Sequence, residues 1–146
     1  MIYSAGIIPF RRNNAGELEF FVGRPGGIDS DKTNYFAFLK GHVEHNETWE
    51  ETAFREFREE SNVPLTDVKE SDLIPLGTTQ QNNNKVVIAY GLYYPNIDEN
   101  QCFSNIADNG LWPEIDKYAW MTYDELKEIT HPTHLKFYDK ITDMLK

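Results

Sequence analysis

Glu56, Glu59 and Glu60 stand three and four residues apart in the stretch REFREES, so on a helix their carboxylates share one flank. The pattern puts them in a last turn, where the helix dipole is negative and acids are disfavoured. Each exposed like-charge pair costs roughly 0.2–0.5 kcal/mol, a cost that a divalent cation between the oxygens would remove. Hard cations such as Mg²⁺ take carboxylate oxygens, keep several waters and bridge to substrate phosphates. Taken alone, such an acidic run fits a solvated face better than a metal site. Glu50 and Glu51 have another explanation. Thr48 and Glu51 have capping-box spacing, and acids in a first turn suit the positive end of the dipole.

The wider spacing shifts the balance. Gly41, Glu47, Arg55, Glu56, Phe57, Glu59, Glu60 and Val63 fit the pattern G-x5-E-x7-R-E-U-x-E-E-x-G-U, with U an apolar residue. Six polar or Gly identities, at background usage of about 7% each, would coincide by chance on the order of 10⁻⁵ times per chain. The sequence thus resembles the Nudix hydrolases at every signature position but one. The exception is Asn62, where the family has Gly. That position follows a helix end and favours a left-handed residue, for which Asn is next best, so a small structural cost is expected.

This resemblance implies a chemistry and a set of roles. In the family, water attacks a phosphorus of a nucleoside diphosphate linked to another group, with Mg²⁺ or Mn²⁺ as cofactor. Carried onto this chain, Glu56, Glu59 and Glu60 are metal ligands and the Gly41 carbonyl a further one. Glu47 and Arg55 match the ion pair that braces loop against helix. Glu114, six residues before Trp120, is the expected general base or an additional ligand, and Glu56 is its rival as base. The flanking stretches SAGIIPFR, LEFFVGRPGG, KGHVE and WPEIDKYAWMTYDEL are similar to bacterial nucleoside-triphosphate pyrophosphohydrolases and to small diadenosine tetraphosphate hydrolases. A diadenosine polyphosphate or a nucleoside triphosphate is therefore the expected substrate. ADP-ribose, another nucleotide sugar, and a non-catalytic nucleotide-sensing role stay open. Lys40, Lys85, Gln81 and Arg24 are candidate phosphate contacts, Lys as a point charge and Arg as a fork. Tyr35, Tyr90 and Trp112 are candidate stacking faces for a base. His42 and His45 read as polar loop residues.

These residues need a scaffold, and the rest of the chain supplies one. At 146 residues it fits a single domain over 1–146, and 40% hydrophobic with 14% aromatic content is that of a globular protein. A net charge of −10 argues against general nucleic-acid binding, which needs a basic footprint, but a metal ion can reverse the local sign for a small anionic ligand. One cysteine, Cys102, forms no internal disulfide, and no run is long enough to span a membrane. A cytoplasmic setting is expected, with monomer and homodimer both open.

The spacing predicts a strand over 2–12, in which Pro9 suggests an edge or a bulge. A turn at 13–17 should return a hairpin partner over 18–24. A further short strand lies within 35–44, and a helix runs from Thr48 to about Ser61 with Trp49, Ala53 and Phe57 facing the sheet. A strand pair flanks the polar run at 80–84, 95–117 look irregular, and KYAWM is the last strand. Thr122 and Glu125 should cap a short helix through Ile129. A closing helix from near Thr133 carries Leu135, Tyr138, Ile141 and Leu145 on one stripe. The sum is α+β, a mixed sheet layered α/β/α with the acidic helix and C-terminal helices on its faces.

Overall fold

A computed structural model describes all 146 residues. Six strands and three α-helices follow in the order β1 (Ile2–Arg12), β2 (Leu18–Pro25), β3 (Lys40–His42), α1 (Trp49–Ser61), β4 (Ile74–Asn82), β5 (Lys85–Tyr93), β6 (Ile115–Thr122), α2 (Tyr123–Leu126) and α3 (Leu135–Met144). The strands form one mixed sheet in the order β4-β5-β1-β2-β6, with β3 alongside β1. The β1–β5 pairing is parallel and runs from Ile2 opposite Lys85 to Phe10 opposite Tyr93, whereas the other pairings are antiparallel.

β1 and β5 are apolar at nearly every position because both of their faces are covered. Ala5 and Ile7 of β1, with Ile88, Tyr90 and Leu92 of β5, pack under Ala53, Phe54 and Phe57 of α1. The alternate residues, Ile8, Phe10, Val87 and Ala89, pack under Phe137, Tyr138 and Ile141 of α3. The sheet is thus the middle layer of an α/β/α sandwich, as the periodicity predicts.

Pro9 is not at a sheet edge. β1 pairs with β3 at Ser4–Gly6 and with β2 at Phe10–Arg12, which leaves residues 7–9 unpaired on that side. Tyr3 O accepts from Val43 on the β3 side, and Phe10 O accepts from Tyr94 on the β5 side. By strand alternation the Pro9 nitrogen faces the unpaired gap, so its missing N–H breaks no ladder. Trp49 also departs from expectation. Its side chain is not under the sheet but 42% exposed, near-parallel to Tyr3 with ring centroids 6.4 Å apart. Thr52 and Phe54 join Ala53 and Phe57 on the buried face instead.

Both predicted capping boxes form: Thr48 Oγ1 accepts from Glu51 N and Thr122 Oγ1 from Glu125 N. α2 stops at Leu126, short of Ile129, and a single 3₁₀ turn over Pro132–His134 leads into α3. Leu145 lies beyond α3 and is 38% exposed. β6 begins at Ile115, two residues before the predicted KYAWM strand.

Candidate active site

α1 ends over the edge where β3 leaves the sheet, and this brings the acids against the KGH strand. Asn62 stops the helix at φ 60° and ψ 19°, the left-handed conformation, and its N–H caps Arg58 O. Glu56 lies against Gly41 so closely that a Cβ on Gly41 would sit 2.0 Å from the Glu56 carboxyl carbon. Only glycine permits that approach.

Arg55 organises the loop before the helix. Its Nε and Nη2 donate to the two Glu47 oxygens at 2.6 and 2.9 Å, and Nη2 also donates to His42 O at 3.1 Å. Glu47 accepts further from Thr52 Oγ1 at 2.8 Å and Glu44 N at 3.1 Å. These bonds, led by Arg55, hold the Glu47 carboxyl down at about 2. The same arginine reaches forward, with Nη1 2.8 Å from Glu56 Oε1 and 3.3 Å from Glu59 Oε2. One guanidinium therefore ties the loop to the acidic turn.

Glu56, Glu59 and Glu60 line a cleft of about 430 Å³ with Gly41, Lys40, Lys85 and Glu114, and none of the residues lining it is hydrophobic. Glu60 is the most enclosed acid. It is 8% exposed, and its Oε1 has no hydrogen-bond partner. Burial first, then the neighbouring Glu56, pushes its carboxyl up to about 8. Burial also raises Glu56, against the pull of Arg55. No three His, Cys, Asp or Glu side chains form a finished metal cage, and Arg55 Nη1 lies between Glu56 and Glu59. The donor set nonetheless fits a hard cation: oxygen ligands only, an orphaned buried carboxylate oxygen, and a glycine that clears the approach.

Basic side chains line the same cleft. Lys40 and Lys85 line the cleft and form no ion pair. Burial, then the charge of Lys85, brings the Lys40 ammonium down to about 8. Tyr35 lines a smaller apolar recess of about 120 Å³ with Ala37, Phe38, Leu39 and Ile115, which adjoins the cleft at Lys40, Glu60 and Glu114.

Two of the predicted phosphate contacts are elsewhere. Arg24 Nε donates to Asp116 Oδ1 at 2.8 Å, and Gln81 Oε1 meets His134 Nε2 at 2.8 Å. Neither residue lines the cleft, and each polar end has a protein partner. Tyr90 is buried in the core, and Trp112 packs beside Gly26. The cleft also draws in Ser4, His42, Asn105 and Asp108, which sequence reasoning did not select for it. Of these, Ser4 carries a local signal: a small polar residue just before the apolar run Ala5–Phe10.

The NUDIX domain model matches residues 2–141. The chain belongs to the Nudix family. As a Nudix pyrophosphohydrolase it falls in a family that generally uses divalent metals and acts on small nucleotide substrates. Among solved structures, the Nudix domain of Shewanella oneidensis NrtR, complexed with ADP ribose, superposes with a TM-score of 0.71 at 12% identity, covering 100% of this chain and 89% of that one. A Caenorhabditis elegans Ap4A hydrolase binary complex gives 0.66 at 19% identity, covering 98% and 99%. A MutT/nudix family protein from Enterococcus faecalis gives 0.62 at 16% identity, and there this chain spans 43% of the relative's length and 83% of its own. At such identities the likeness carries the fold alone. No curated protein matches the sequence. No helix is long and apolar enough to cross a membrane.

Proposed function

We propose that the protein hydrolyses a phosphoanhydride bond in a nucleoside polyphosphate, with a dinucleoside polyphosphate or a nucleoside triphosphate as substrate class. The observation that carries this reading is the polarity of the cleft. Carboxylates line it together with two lysines, Lys40 and Lys85, that form no ion pair. A polyphosphate complexed to a cation complements both kinds of charge at once. Mg²⁺ or Mn²⁺ held by Glu56, Glu59, Glu60 and the Gly41 carbonyl would neutralise phosphate oxygens and acidify a water.

The protein's own groups complete the reaction. Lys40 and Lys85 hold phosphate oxygens that the carboxylates would repel. Tyr35 and its apolar recess receive the base. Water oxygen bonds to phosphorus, one anhydride P–O bond breaks, and the leaving phosphate departs with the bridging oxygen. The proton from water passes to a carboxylate. Glu114 is the better base, because its carboxylate lines the cleft with no cation or donor attached, whereas Glu56 is held by Arg55.

The test is product analysis with Mg²⁺ and a panel of dinucleoside polyphosphates, nucleoside triphosphates, ADP-ribose and capped RNA. Cleavage of a polyphosphate, lost in Glu59→Gln and Glu60→Gln, is the expected result. Undiminished turnover in both variants would sink the metal assignment. Nucleotide binding with no turnover of any panel member would make the domain a sensor.

A further inference from the structure

A helix leaves its last carbonyls without internal partners. In α1 all four of the last are taken. Arg58 O accepts from Asn62 N at 2.8 Å, Glu59 O from Asn105 N at 2.8 Å, and Ser61 O from Phe103 N at 3.3 Å. Glu60 O accepts from the Tyr118 hydroxyl. Three of these donors belong to residues 103–118, remote in sequence and leading into β6. The same segment carries Glu114, whose N–H donates to Asn105 O at 2.9 Å. The main chain of Asn105 is therefore bonded to Glu59 on one side and to Glu114 on the other. Glu114 O in turn accepts from Gly26 N at 2.8 Å. A Cβ at Gly26 would fall 1.9 Å from Pro113 O, so that contact requires glycine.

We propose that Asn105 and Tyr118 are positioning residues, which clamp the acidic turn to the segment bearing Glu114 and fix the separation of these groups before ligands arrive. The inference rests on the metal reading above. A preformed set of carboxylates binds a cation without first being ordered, whereas a frayed last turn must be ordered at the expense of affinity. Tyr118 is the removable part of the clamp. Its ring stacks on Phe21 with centroids 5.9 Å apart and planes 14° from parallel, so Phe at 118 keeps the packing and deletes only the donor.

The experiment is a Mn²⁺ titration of the full chain by electron paramagnetic resonance, without nucleotide. Tyr118→Phe should bind Mn²⁺ about fivefold more weakly than wild type, the scale of one lost hydrogen bond, with unchanged helix content. In turnover assays the metal concentration for half activation should rise by the same factor, with little change in nucleotide KM. Equal Mn²⁺ affinity in the two proteins would refute the clamp and leave the metal site standing. A wild-type chain that binds no Mn²⁺ would overturn both. If Tyr118→Phe fails to fold, hydrogen exchange on the wild-type chain decides. Saturating Mn²⁺ should slow exchange of the Phe103 and Asn105 amides severalfold, and unaltered rates would refute the coupling.

Discussion

Arg55 touches the loop acid Glu47, the His42 carbonyl and two of the three acids proposed to hold the metal. With its fork on Glu47, the remaining Nη1 supplies positive charge where Glu56 and Glu59 would otherwise repel each other. Next to it, the Glu56 carboxyl fills the space that a Cβ at Gly41 would take. A Gly41→Ala substitution should be relieved by movement of the flexible Glu56 side chain, not by unfolding. Mn²⁺ affinity should fall by more than about tenfold, while the thermal unfolding midpoint stays close to wild type. Titration and calorimetry on the same sample check both halves of that expectation.

At the scale of elements, α1 was the most legible part of the chain. Its capping box, acidic flank and stop all follow from local spacing, and Asn62 does adopt the left-handed conformation that its place in the motif requires. Asn62→Ala should therefore cost about 1 kcal/mol, because a Cβ without a compensating polar side chain is disfavoured there. Asn62→Gly should be neutral or slightly stabilising, and urea midpoints for the two variants measure the contrast. What the sequence did not disclose lies in contacts between distant segments. Arg24 is matched to Asp116 and Gln81 to His134, pairings with no counterpart in local spacing. Trp49 follows the helical period yet lies outside the core, stacked on Tyr3 at the start of β1. The carbonyls clamped by residues 103–118 were equally hidden, in a stretch that reads as irregular.

Across the whole molecule, the α3 face holds the most strongly perturbed histidine. His134 is fully buried beside Phe38 and Phe137, with His131 next to it and the charges of Lys40 and Lys85 nearby. Burial first, then Lys40, pushes its imidazole down to about 2, from an ordinary value of 6.5. Below pH 6.5 the unfolded chain takes up a proton that the folded chain refuses. Stability from this group is complete above pH 6.5 and is lost as pH falls toward 2. Between pH 7 and pH 5 this group alone loses about 2 kcal/mol, while the Glu60 carboxyl, raised to about 8, gains stability over the same range with the opposite sign. The readout is therefore the difference between two urea titrations: across that range wild type should lose about 2 kcal/mol relative to His134→Gln, whatever the substitution does to stability at pH 7.

The central strand β1 is also first in the sequence, and the longest of its pairings, from Ile2 opposite Lys85 to Phe10 opposite Tyr93, joins it to a strand far along the chain. The hairpin β1–β2 and the acidic helix can form from local contacts, but closing the parallel pair requires a long loop to be ordered first. Lys85 stands at the start of that late strand. The acidic helix and Lys40 beside it can therefore take shape early in folding, while Lys85 comes into place only when the sheet closes.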